Sequence, residues 1–139
     1  VSGTLDILFA MILTVVLDRE VPNMLRFVAS GPFPSATGMG TSGAIVGLVV
    51  HFALMAIMAA VLILIVQWRP QLAATPLLTG LAYGIITYFI MNWLVVPVRF
   101  GTPLPPKALS VVTQLFAHIV LVGIPMAYIA AHYLKPRTT

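Results

Sequence analysis

The sequence predicts an all-α integral membrane protein, a four-helix bundle with a short interfacial helix in its first loop. Three observations lead there. Of 139 residues, 60% are hydrophobic and only 7% charged, with a mean hydropathy of +1.09. The surface of a water-soluble domain must be substantially polar, so lipid is the expected solvent for most of this one. The apolar residues fall in four stretches close to the ~20 residues needed to cross a bilayer core. Turn-forming residues and single charges punctuate those stretches, and no other segment is long enough for a second, extramembrane domain, so residues 1–139 read as one transmembrane domain.

The first span covers 1–17 and ends at Asp18-Arg19-Glu20. It is slightly short, and the chain opens Val1-Ser2-Gly3 without Met, so an upstream segment extending it is expected. It is not read as a signal peptide, being one of four such stretches and carrying Asp6 within it. Residues 21–30, VPNMLRFVAS, place Pro22 at a helix start and then alternate polar and apolar residues at helical spacing, which predicts the interfacial helix. Gly31-Pro32-Phe33-Pro34 and then Gly38, Gly40 and Gly43 read as turns. Without a preceding strand or a following Lys-Ser/Thr pair they are not a phosphate-binding loop. The second span, 44–66, is broken only by His51 and closes at Gln67-Trp68-Arg69-Pro70, an aromatic and a cation suited to the headgroup layer. The third, 76–98, is closed by Arg99, and a stiff Gly101-Thr102-Pro103-Leu104-Pro105-Pro106 link follows. The fourth, 109–134, contains Gln114, His118 and His132 and ends at Lys135-Pro136-Arg137. Gly123 and Pro125 interrupt this last span, and Pro125 releases the Leu121 carbonyl, so a kink is expected there.

Charge and composition exclude several functions. Seven Lys and Arg against three acids give +4 and an isoelectric point near 10.0, but the basic residues stand singly at the ends of apolar runs. That pattern suits lipid headgroups and not nucleic acid. Arg19, Arg26, Arg99 and Lys107 on one side balance Arg69, Lys135 and Arg137 on the other, so charge does not orient the protein. Cysteine is absent, which removes disulfides, thiolate metal sites and cysteine nucleophiles. No serine nucleophile motif is present, and three acids leave little for general acid and base work, so an enzyme is not expected.

Helices in a bilayer associate through close backbone approach and polar contacts, because lipid tails are as apolar as leucine. Gly43 and Gly47 form one GxxxG pair and Gly80 and Gly84 another, predicted to pack helices. Stepping on by four from the first pair reaches His51, and from the second Tyr88 and Asn92; Gln114 and His118 share a face likewise. At ~1.5 Å per residue, His51 lies about 10 Å into its span, His118 about 14 Å, Asn92 about 9 Å and Asp6 about 16 Å, all measured from one side. Asp6, His51, Tyr88, Asn92 and His118 are therefore predicted to form an intramembrane polar cluster. A charge at the bilayer centre costs ~2.5 kcal/mol or more unless paired or wet. The cluster could serve as a register-fixing network, as a proton or solute path through Asp6, His51 and His118, as a metal site on those three residues, or as b-haem ligation by His51 and His118. His132, at the far end, is expected to reach the headgroups, and the seven Met residues, Met55 and Met58 among them, to fill the core.

Several short motifs in order, GTLDI at 3–7, VASG at 28–31, GLVVHF at 47–52, LAYG at 81–84, Met91-Asn92, VVPV at 95–98 and H-x-x-x-V-G-I-P at 118–125, resemble the YagU-like family of bacterial inner-membrane proteins. The resemblance spans nearly the whole chain. It implies a four-span, multi-pass protein of the bacterial inner membrane, sets Asp6, His51, Asn92 and His118 inside the shared motifs, and supplies no mechanism.

Small size, short loops and two glycine ridges favour a non-enzymatic accessory or packing subunit, partnered by the lipid bilayer and by copies of itself or a larger membrane complex, with no cofactor. The alternative is a proton-linked channel or transporter for a small solute, with Tyr88 and Asn92 positioning; a haem or metal-binding protein comes after that.

Overall fold

A computed structural model describes residues 1–134. Among them are five helices and no strand: α1 Ser2–Val16, α2 Val21–Ala29, α3 Gly40–Trp68, α4 Pro76–Phe100 and α5 Ala108–Leu134. Single 3-10 turns, Pro34–Gly38 and Pro70–Ala74, lead into α3 and α4. Lys135 and Arg137, counted above in the charge balance, lie outside the described residues.

Three helices are long and apolar enough to cross a membrane: α3 with 29 residues, α4 with 25 and α5 with 27. At ~1.5 Å rise per residue each exceeds the ~30 Å hydrocarbon core. The fourth expected span is shorter. α1 has 15 residues, about 22 Å of helix, because the chain leaves the helix through Asp18, whose φ is 53°, with the Asp18 and Arg19 amides bonding back to the Val15 and Thr14 carbonyls.

α3 begins four residues before the expected 44, since Gly40-Thr41-Ser42-Gly43 winds into its first turn and is not a loop. Gly43 donates to Met39, and the Ser42 hydroxyl caps the same carbonyl. α2 forms where expected, with Pro22 in its first turn, Leu25 and Ala29 buried and Phe27 exposed. α4 continues to Phe100 and stops at Gly101, whose left-handed backbone (φ 63°) closes the helix.

The two prolines inside long helices change the winding without breaking the chain. Ile90–Val95 and Ala117–Gly123 are π-helical. Val96 donates five residues back to Met91, immediately before Pro97; Ile124 donates five back to Ile119, immediately before Pro125. A proline has no N–H and its ring collides with the carbonyl four residues earlier, so the wider turn relieves both faults. At Pro125 the interruption expected from sequence therefore takes the form of a π turn. At Pro97, which the sequence reading ran through as ordinary helix, the same device appears.

The described residues divide into two compact units: residues 3–57, and residues 58–134 with Val1 and Ser2. α3 runs through both as one helix. In the first unit Ile7, Leu25 and Ala44 form a buried centre filled out by Met11, Val21, Met24 and Leu48. In the second, α4 packs along α5 through Thr79, Tyr83, Thr87 and Tyr88 on one side and Ala117, Val122, Met126, Ala127 and Ala130 on the other, all buried.

Candidate functional site

The glycine ridges create the close approaches that position the polar residues. A side-chain carbon at Gly47 would collide with the Leu25 carbonyl, and one at Gly43 with the Ala36 carbonyl, so both glycines seat the α2 segment and its following turn. Gly80 and Gly84 face α5: a Cβ at Gly80 would lie 2.6 Å from Ile124 Cα, and one at Gly84 would lie 2.5 Å from the His118 carbonyl oxygen. Gly123, expected only as an interruption, is the third member of that contact, because a Cβ on it would strike the Gly80 carbonyl. Each ridge is thus occupied within its own unit.

In the first unit, Asp6 on α1 meets His51 on α3. His51 is buried, 7% exposed, with Nε2 2.9 Å from the Gly3 carbonyl oxygen and Nδ1 3.9 Å from Asp6 Oδ2. The carbonyl can only accept, so Nε2 carries a proton and donates it. The Phe52 ring stands edge-on to the imidazole, 5.3 Å between centroids. Gly3 makes this geometry possible: a Cβ there would come 3.0 Å from Met55 Cγ and 3.2 Å from Phe52 Cδ1. Sequence reasoning missed Gly3, although it lies one turn before Ile7 and so could have been read as a small residue on a packed face.

In the second unit, Tyr88, Asn92 and His118 gather at the two π turns. Tyr88 is fully buried, and its ring meets His118 edge-to-face at 6.0 Å. Asn92 donates to the Tyr88 carbonyl at 3.3 Å, while Trp93 Nε1 donates to the Tyr88 hydroxyl at 3.4 Å. His118 Nδ1 lies 2.9 Å from the Gln114 carbonyl and carries the proton of that bond. Asn92 lies in one π segment and His118 in the other. Tyr83, not singled out from sequence, donates its hydroxyl to the Met58 carbonyl at 2.6 Å. Within the first unit Asp6 thus meets His51, and within the second Tyr88 meets Asn92 and His118.

Among the described residues no three His, Asp, Glu or Cys side chains gather closely enough to hold a metal ion. His132, at the end of α5, is exposed and packs edge-on against Tyr133 at 5.2 Å. Searches against family models, curated proteins and solved structures return no match.

Proposed function

We propose that the protein is a small, non-enzymatic, multi-pass membrane protein whose helices cross the bilayer four times, and that it works as a packing or accessory subunit. The observation that carries this reading is where the polar groups inside the apolar helices are directed. Thr14, Thr79, Tyr83, Thr87, Asn92, Thr113 and His118 each bond a main-chain carbonyl. Groups committed in this way fix helix register and are not left to converge on a substrate. The outward faces are bulky and apolar, as a lipid-facing or subunit-facing surface requires: Ile45, Val49, Ile57, Leu64, Leu78 and Val112 are all more than half exposed. The YagU-like resemblance supports placement in a bacterial inner membrane.

With both glycine ridges occupied internally, association with a second copy or another subunit would use these bulkier faces. Native mass spectrometry of protein purified in mild detergent tests the reading. A defined oligomer or a stoichiometric partner is expected; a monomer that carries solute flux in liposomes would overturn it.

A second reading, proton-linked movement of a small solute, is favoured by one observation, the carboxylate and imidazole facing each other at Asp6 and His51. Asp6→Asn would then change flux while the bundle stays folded, and unchanged flux would remove this reading.

A further inference from the structure

The start of α4 and the last turns of α5 form a groove that the polar contacts described above do not use. It has a volume of about 300 Å³ and is lined by Thr75, Pro76, Leu77, Leu78, Leu81 and Tyr128. Its walls are held by contacts already in place. Thr79 is buried and donates to the Leu72 carbonyl at 2.8 Å, which ties the Pro70–Ala74 turn to the first turn of α4. The close approaches of Gly80 to Ile124 and of Gly84 to His118 set α4 and α5 antiparallel. One turn back from Gly80 is Pro76 and one turn on from Ile124 is Tyr128, so the tyrosine stands level with the start of α4. Leu77, Leu78 and Tyr128 are half exposed or more, and the groove opens outward.

This end of the unit also carries an aromatic and a cation, the residues that settle at a membrane interface. Trp68 and Arg69 immediately precede the turn; Trp68 is exposed, and the Arg69 guanidinium stacks 5.1 Å from its ring centroid. The Arg69 backbone is fixed on both sides, its amide donating to the Ile65 carbonyl at 2.8 Å and its carbonyl accepting from Leu72 at 3.0 Å. No carboxylate side chain lies in this unit, because Asp6, Asp18 and Glu20 all precede residue 21. Among its described residues the other Lys and Arg side chains, Arg99 and Lys107, lie at the far end of α4 and just before α5. The charge beside the groove is therefore positive, and an anion complements it.

We infer that this groove binds one anionic phospholipid, with an acyl chain along Leu77, Leu78 and Leu81 and the phosphate at the Arg69 guanidinium. The stretch from Thr75 to Leu81 is about 9 Å of helix. A partner helix, about 10–12 Å across with its side chains, needs a larger seat, whereas a single hydrocarbon chain fits. Any phospholipid offers such a chain, and a tail gains little by leaving other tails, so the charge at Arg69 selects among headgroups. One cation at a membrane surface corresponds to a preference of about fivefold for an anionic over a zwitterionic lipid. The inference rests on the multi-pass membrane reading proposed above.

The experiment is native mass spectrometry of the full chain, delipidated in mild detergent and offered equal amounts of phosphatidylglycerol and phosphatidylcholine with the same acyl chains. One phosphatidylglycerol per protomer should be retained, about fivefold more often than phosphatidylcholine. Arg69→Gln should bring the two lipids to equal retention, while Lys107→Gln, which removes the same charge far from the groove, should leave the preference as it is. Leu78→Trp should fill the groove and lower retention of both lipids; Leu64→Trp, at a comparably exposed position on α3, should not. All four side chains are exposed, and circular dichroism checks that each variant keeps its helices. Equal retention of the two lipids by the wild type would overturn the inference, as would an equal loss of preference in Arg69→Gln and Lys107→Gln, or equal effects of Leu78→Trp and Leu64→Trp. A chain that stays dispersed in buffer without detergent would remove the membrane reading as well, whereas a detergent-dependent chain that ignores lipid charge removes this inference alone.

Discussion

Replacing Gly84 by Ala adds a single carbon where two helix backbones touch. That carbon would lie 2.5 Å from the His118 carbonyl oxygen and 2.7 Å from Ile119 Cα. Carbon contacts settle at about 3.5–4.0 Å, so α4 and α5 must separate by roughly 1 Å. The obstructing atoms are main chain and cannot rotate aside. A radial gap of that size forfeits a quarter to a half of each dispersion contact along the seam, and overpacking in close-packed protein typically costs about 1–3 kcal/mol. For a chain of this size that corresponds to a fall in Tm of roughly 4–12 °C. Gly38→Ala is the matched control, because a Cβ there meets nothing within 4 Å, and its effect should stay within about 0.5 kcal/mol. The assay is thermal unfolding of the purified protein in one detergent, followed by near-ultraviolet circular dichroism. Gly84→Ala melting with the wild type, or Gly38→Ala melting as early as Gly84→Ala, would refute the proposed seam.

Two further outcomes follow from the same packing. His51→Ala strips the Gly3 carbonyl of its side-chain donor and Asp6 of its facing imidazole, and should lower stability by about 1–3 kcal/mol; His51→Gln, which keeps a donor, should recover part of it. Equal denaturant midpoints for the three proteins would mean that the tie between α1 and α3 contributes nothing. Pro97→Ala restores an N–H that can reach the Trp93 carbonyl, so the wide turn at Ile90–Val95 should tighten and the new amide should resist hydrogen exchange. An unprotected amide at position 97 would show that proline is not what widens this turn.

Much of this architecture is written locally in the sequence. GxxxG spacing made Gly43, Gly47, Gly80 and Gly84 visible as sites of close approach, because that spacing puts both glycines of a pair on one helix face wherever the helix packs. The identity of the neighbour was not visible: Gly43 and Gly47 seat the short α2 segment and its turn, a choice made by tertiary packing. Depth, fixed by rise per residue, grouped Asp6 with His51, Asn92 and His118 without choosing its partner; the contact with His51 comes from the packing of α1 on α3. Which helices adjoin within each unit is not encoded by depth. The Gly40-Thr41-Ser42-Gly43 run carries loop-forming residues, yet it winds into α3 because the Gly43 amide finds a helical partner in Met39 and its bare face admits Ala36. Pro97 and Pro125 carry the same steric signal, and only Pro125 has a preceding glycine to draw attention to it.

The central claim is that four helices cross the membrane, including the 15-residue α1. The chain has no cysteine, so single cysteines at Val1, Thr37, Gln71 and Thr102 can be labelled with a membrane-impermeant maleimide from either side of sealed vesicles. Four crossings predict that positions 1 and 71 label from one side and positions 37 and 102 from the other. Position 1 labelling from the same side as position 37 would contradict the account, since α1 would then enter the bilayer without crossing it.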